Sequence, residues 1–400
     1  MMKKNLPLSL IFIVVFIDLL GFGILIPILP TFATKELGMS EGLIGLVIAA
    51  YSFVQFIFNP LLGTLSDKYG RRMIILVTLF LNVAGYLMFS FSHSFLMLIL
   101  SRVICGIGGS SIGVAQAYIA DVTTREDRAK GMGLIGVAFG LGFVFGPLAG
   151  GILANWGYEY AGYAAAFTSM AALIVSYFAL PEPENKNRVP GEGGRRKIVD
   201  LPAMMQVFSK PATGIVILLF FILTFSVANI YGTFALLGTK QYHFSDMENG
   251  FIFGIVGLIG ALVQGGLIGR LSKKYTDTQL IIVSSLLMIF GLGFIPYGIN
   301  MTGVIIVVTV LSFGTGILQP TILSLISKIT PQREQGMVLG VNQSVGSFAR
   351  MLGPLWGGFS FQYLGYEVPF LTGAICTLFI FIYSITKLKN LLEAAPVHAE

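Results

Sequence analysis

The sequence predicts an all-α integral membrane protein with twelve transmembrane helices in two pseudo-symmetric six-helix bundles. Three observations carry that expectation. Only 11% of the 400 residues are charged and 55% are hydrophobic, against about 25% charged in a soluble domain whose surface faces water. The apolar residues fall into twelve blocks, each long enough to cross a ~30 Å hydrocarbon core at about 1.5 Å per helical residue. The chain also repeats itself at one offset.

The blocks cover approximately residues 8–30, 43–64, 73–92, 95–117, 132–154 and 159–180, then 211–237, 250–270, 278–298, 303–326, 337–359 and 366–386. The first is too long for the apolar stretch of a signal peptide, and no small-residue cleavage site follows it. It is expected to remain as a helix. Pro181 to Pro211 is the one long interruption. Its proline, glycine and charge content mark a linker, giving bundles at 1–180 and 211–400 joined by 181–210.

The repeat runs across that linker. Leu62-Gly63-Thr64-Leu65-Ser66-Asp67-Lys68-Tyr69 follows the second block, and Ile268-Gly269-Arg270-Leu271-Ser272-Lys273-Lys274-Tyr275 follows the eighth. Gly146-Pro147-Leu148-Ala149-Gly150-Gly151 in the fifth is echoed by Gly353-Pro354-Leu355-Trp356-Gly357-Gly358 in the eleventh, and Arg128 to Met132 recurs as Arg333 to Met337. Each match lies about 206 residues from its partner. Two such halves can rock against each other around a midplane site, which is alternating access.

A net charge of +6 could suggest a nucleic-acid partner, but its distribution excludes that reading. Lys and Arg fall in alternate loops: Lys3 and Lys4; Lys68, Arg71 and Arg72; Arg125, Arg128 and Lys130; the linker group Lys186, Arg188, Arg195, Arg196, Lys197 and Lys210; then Arg270, Lys273, Lys274, Lys328, Arg333, Lys387 and Lys389. The intervening loops carry only Lys35 and Lys240. By the positive-inside rule both termini are expected in the cytoplasm, with the basic loops facing anionic lipid. The two cysteines, Cys105 and Cys376, sit in apolar blocks of different halves and read as packing residues.

Four motifs now support a family. Gly63-Thr64-Leu65-Ser66-Asp67-Lys68-Tyr69-Gly70-Arg71-Arg72 resembles the cytoplasmic loop signature of the major facilitator superfamily. Gly142-Phe143-Val144-Phe145-Gly146-Pro147-Leu148-Ala149-Gly150-Gly151 resembles the motif of that family's drug/proton antiporters. It also reads as a small-residue packing face with a proline kink, and the two readings are compatible. Arg102-Val103-Ile104-Cys105-Gly106 is similar to the fourth-helix motif, and Gly21-Phe22-Gly23-Ile24-Leu25-Ile26-Pro27-Ile28-Leu29-Pro30 to the first-helix motif of twelve-helix drug exporters. Tetracycline/proton antiporters look closest. The resemblance implies the major facilitator fold, small-molecule substrates, protons as coupling ion and a monomer in a cell membrane. It also implies a gate at Gly63, Asp67, Gly70, Arg71 and Arg72, latching the cytoplasmic ends of the two halves. The antiporter motif falls on Gly142, Gly146, Pro147, Gly150 and Gly151. One departure stands out. Tetracycline exporters carry ionisable residues in the eighth and ninth helices, whereas this chain has Gln264 and no carboxylate or histidine between 281 and 298.

Of nineteen acids, only Asp18 lies deep in a block. It is roughly 15 Å in, near the midplane, where an ionised Asp costs about 2.5–3.5 kcal/mol on insertion scales. Proton coupling is the functional reading, and a hydrogen-bonded Asp holding helices together is the structural one. Arg102 lies roughly 10 Å below the outer boundary, within a helical turn of that depth, and is expected to pair with Asp18. Arg350 in the eleventh block is either a helix–helix contact or a substrate contact. With Asp18 and Arg102 paired, the remaining Arg350 would disfavour lipophilic monocations relative to neutral, zwitterionic or anionic compounds.

Gln55, Asn82, Gln116, Asn229, Gln264, Gln319, Asn342 and Gln343 are polar residues within blocks, mostly expected as interhelical hydrogen-bonding groups. Gln55, Gln116, Asn229, Gln319 and Arg350 are the candidates for a substrate cavity. His93, His243 and His398 lie away from the midplane, and no Cys/His cluster, nucleophile–base set or phosphate-cradling loop occurs. No metal, no cofactor and no enzymatic activity are expected. The expected function is proton-driven export of lipophilic drug-like compounds. A proton-coupled metabolite or amine transporter is the alternative, with a non-transporting membrane receptor or membrane-embedded enzyme further off.

Overall fold

The computed structural model describes residues 2–123, 128–183, 201–331, 334–388 and 390–391. Among them no β-strand occurs. Lipid offers no hydrogen bonds to the backbone, so each crossing segment must satisfy its own N–H and C=O groups as a helix. In chain order the helices are α1 (Met2–Lys35), α2 (Glu41–Tyr69), α3 (Arg71–Ser90), α4 (Phe95–Gly108), α5 (Ser111–Val122), α6 (Arg128–Leu153), α7 (Tyr158–Ala179) and α8 (Leu201–Phe208). They continue with α9 (Pro211–Gln241), α10 (Asp246–Leu262), α11 (Ile268–Lys274), α12 (Asp277–Phe294), α13 (Met301–Ile329), α14 (Gln335–Tyr363) and α15 (Val368–Tyr383).

Among the described residues, eleven helical segments are long and apolar enough to span a membrane. The expected eleventh span lies in α14, which is 29 residues long but carries Asn342, Gln343, Ser344, Ser347 and Arg350, lowering its hydropathy. The fourth span departs from expectation. The sequence reads as one helix at 95–117, but the chain breaks at Gly109 and Ser110 and restarts as α5. Consecutive Gly108, Gly109, Ser110 and Ser111 explain the break, because glycine and serine both weaken helix continuity. A π-turn at Val263–Leu267 joins α10 to α11 in the eighth span, and the linker region contains the short α8. Arg125, Lys186, Arg188, Arg195, Arg196, Lys197, Arg333, Lys389 and His398 lie outside the described residues, as do the side chains of Lys3, Lys4, Arg128 and Lys130.

The chain packs as two compact units. The first comprises residues 1–39, 50–198 and 244–254, and the second 40–49, 199–243 and 255–400. This differs from a plain division at 181–210 in two short segments, the starts of α2 and α10.

In the first unit a core of Leu10, Ile11, Val14, Val15, Leu19, Ile75, Leu79, Val114, Tyr118 and Ala138 gathers α1, α3, α5 and α6. Small residues bring α6 against α1. A Cβ on Gly142 would lie 2.8 Å from Leu19 Cβ, and one on Gly146 would lie 2.7 Å from Gly23 Cα. Gly151 faces the start of α10, where a Cβ would meet Met247 Cα at 3.0 Å. Lys35 pairs with Asp246 at 3.2 Å, and Tyr158 donates to the same carboxylate at 2.8 Å.

In the second unit the repeated motif does the same work. Gly353 packs on Ala228 and Asn229 of α9, and Gly358 on Gly45 in the first turns of α2. Lys240 pairs with Glu41 there. The two lysines, like the two acids, are related by the offset of about 206 residues that relates the motifs.

Candidate proton and substrate site

Asp18 is buried in the middle of α1, 5% exposed. Each carboxylate oxygen is occupied: Asn82 of α3 donates through Nδ2 to Oδ1, and the Ser111 hydroxyl at the head of α5 donates to Oδ2. The glycines around the break let the helices approach. A Cβ on Gly108 would crowd Asn82 and the Thr78 carbonyl, and one on Gly106 would sit 2.8 Å from the Tyr51 carbonyl. The break frees backbone groups, and Gln55 of α2 takes one of them, donating through Nε2 to the Gly109 carbonyl at 2.9 Å. Tyr51 stacks on Phe22 at 5.0 Å between ring centroids, and Phe22 meets Phe143 of α6 at 6.1 Å.

The expected pair of Asp18 with Arg102 does not form. Arg102 is 4% exposed. Its Nη2 donates to Ser101 Oγ at 3.1 Å and approaches Cys105 Sγ at 3.9 Å, and its guanidinium lies 5.5 Å from the Phe89 ring centroid. Its Nε has no hydrogen-bond partner. Of the fourth span, it is Ser111 at the head of α5, beyond the break, and not Arg102 of α4 that bonds Asp18. With that pair gone, the expected discrimination against monocations loses its premise.

The loop motif forms a second cluster. Gly70 takes φ +103°, which suits glycine, and starts α3. The Glu182 carboxylate caps that start, accepting from Arg71 N at 2.7 Å and Arg72 N at 2.9 Å. A carboxylate at a helix N-terminus satisfies otherwise unpaired N–H groups. Arg71 is 8% exposed. It bonds Asp67 at 2.6 Å, Asp121 at 3.0 Å and Ser66 Oγ at 2.5 Å. Arg72 donates to the Tyr177 carbonyl and lies 5.9 Å from that residue's ring centroid. These partners all lie in the first unit. Gly63 is half-buried one turn before Asp67, and its carbonyl accepts from Ser66 Oγ at 2.7 Å.

The remaining cavity candidates are not brought together. Gln116 of α5 and Gln319 of α13 are exposed. Asn229 is buried and donates to the Pro369 carbonyl at 2.5 Å, joining α9 to α15 as interhelical glue. Arg350 is half-buried, with Nη2 on Ser347 Oγ at 2.9 Å. In the same unit Phe225, Leu352, Leu355, Trp356 and Phe359 line an open apolar recess of about 350 Å3. Sequence reasoning missed Ser111 as a partner of Asp18 and assigned Asn82 to generic glue. The Gly108–Ser111 run was the signal that could have located the break.

The model of the Major Facilitator Superfamily matches residues 11–354 and again 267–391. Multidrug resistance protein 1 of Bacillus subtilis is 31% identical over 90% of this chain and 91% of its own. The class E tetracycline resistance protein of Escherichia coli is 30% identical over 88% and 87%. Among solved structures, the human organic anion transporter MFSD10 (TETRAN) is 25% identical with a TM-score of 0.69, covering 95% of this chain and 99% of that one. A bacterial homolog of the human lysosomal transporter Spinster superposes with a TM-score of 0.81 at 13% identity, over 99% of both chains, and shows the shared fold. Fold and relatives define a multi-pass membrane transporter of small molecules and not an enzyme. The chain belongs to the major facilitator superfamily.

Proposed function

We propose that this transporter is a proton-driven exporter of lipophilic drug-like compounds working by alternating access. One observation carries the proton assignment: a carboxylate buried mid-span in α1, held by neutral donors and facing no basic partner. Such a group can change protonation without breaking an ion pair. Export of drugs is supported by the multidrug and tetracycline resistance proteins among the relatives. Arg102, which bonds Ser101 and Cys105 on its own helix, makes no direct contact with Asp18, so the proton role rests on Asp18 itself. Expression in a host stripped of its own efflux pumps should lower susceptibility to several unrelated lipophilic drugs, and a protonophore should abolish the effect. Unchanged susceptibility across the panel would reject the reading.

The chain is read as a monomer, and the charge asymmetry of its loops supports placing both termini in the cytoplasm. Thiol reagents should reach a cysteine placed in 184–200 only after the membrane is permeabilised, and labelling in intact cells would reverse the orientation.

Gly63, Asp67, Gly70, Arg71 and Arg72 act as the conformational gate. Arg71→Ala removes the guanidinium that bonds both Asp67 and Asp121. A hydrogen bond to a charged group contributes about 1.5–3 kcal/mol, so a melting temperature in detergent several degrees lower is expected, together with slower turnover. Wild-type melting and turnover would reduce the loop to a topology signal.

A further inference from the structure

We infer that Asn82 and Ser111 are positioning residues that let Asp18 gain and lose a proton without a buried hydrogen bond being lost in either state. The inference rests on Asp18 being the proton carrier. An ionised carboxylate only accepts, and here each oxygen meets one donor, Asn82 Nδ2 and Ser111 O–H. A protonated carboxyl must instead donate from one oxygen, and a site built from donors alone would leave that O–H facing another donor. Both partners here can reverse. The Ser111 hydroxyl rotates to accept, because it is donor and acceptor alike. Asn82 is 1% exposed, and its Oδ1 has no hydrogen-bond partner. A half-turn of its amide presents that oxygen to Asp18.

The break in the fourth span supplies the rest. Because α5 begins at Ser111, its first backbone N–H groups have no partner within the helix. The positive end of a 12-residue helix therefore stands beside Asp18 when it is charged. Gln55 holds the break in place through the Gly109 carbonyl. The titratable groups around Asp18 are few: Tyr51 on α2, Tyr86 on α3, and Arg102 and Cys105 on α4. Ser111 is the polar contact from α5. Residues 131–153 of α6 carry no charged side chain, and α7 carries only Glu159, in its first turn.

The test is infrared difference spectroscopy of the purified full chain titrated with acid, which needs no substrate. Wild type should give a protonated-carboxyl C=O band that Asp18→Asn removes. In Ser111→Ala and in Asn82→Ala the band should persist but shift to higher wavenumber, since a protonated carboxyl with fewer partners has a stiffer C=O. Ser111→Thr, which keeps the hydroxyl, should restore the wild-type position. A band unmoved in both alanine variants overturns the inference. Should Asn82→Ala fail to fold, the Ser111 pair decides alone. Failure of the underlying reading looks different: Asp18→Asn would still export against a gradient, whatever the band does.

Discussion

Asp18→Asn is expected to abolish export against a gradient while the protein still inserts and folds. An outward-to-inward proton flow can drive a substrate uphill only if some group is charged in one half of the cycle and neutral in the other. One pH unit is worth about 1.36 kcal/mol per proton, or a tenfold substrate gradient for one-for-one exchange. Asn has the shape of protonated Asp and cannot release a proton. With a one-unit pH difference across proteoliposomes, the accumulation ratio should fall from about tenfold to unity. Exchange of labelled for unlabelled substrate, which moves no net proton, should continue. Asn82 and Ser111 can still bond the amide, so folding should survive. Undiminished accumulation by the variant would assign the proton to another group.

Gly146→Leu should have the largest effect on stability. The α6 glycines meet α1 backbone to backbone: a Cβ on Gly146 would fall 2.7 Å from both Gly23 Cα and its carbonyl carbon, and 2.9 Å from Ile24 N. No rotamer relieves such a contact, so α1 and α6 must separate. Overpacking of this kind costs about 1–3 kcal/mol, and a separated pair also loses the close dispersion contacts that hold membrane helices together. Gly146→Ala should already lower the melting temperature in detergent. Gly136→Ala, on the same helix with nothing within 4 Å of the added methyl, should not. Equal melting of the two alanine variants would show that the contact is not tight.

The sequence revealed those elements whose physics is local. Helix number and span length follow from blocks of apolar residues, because lipid enforces the helix on any block long enough to cross. The buried Asp18 was legible too, since a carboxylate in a long apolar run has few structural explanations. Its partners were not. Depth along a helix can be counted from residues, but azimuth cannot, and Arg102 was matched to Asp18 on depth alone. Of the two residues that do reach Asp18, Ser111 stands just beyond a two-residue interruption at Gly109 and Ser110, and Asn82 comes from a different helix. The polar residues divided by the same logic: Asn229 turned inward to Pro369 while Gln116 and Gln319 stayed exposed. Nothing in their spacing distinguished them.

The apolar recess of the second unit also provides an optical handle. The chain contains two tryptophans. Trp156 follows the end of α6 and is 70% exposed, whereas Trp356 stands in the recess among Phe225, Leu352, Leu355 and Phe359. Replacing Trp156 by Phe leaves one indole, so all tryptophan emission then originates at the recess wall. Its wavelength reports the polarity there, and its quenching reports any molecule that enters. Occupancy of that space can thus be read in the unlabelled protein, with no fluorophore attached and none of the transport cycle disturbed.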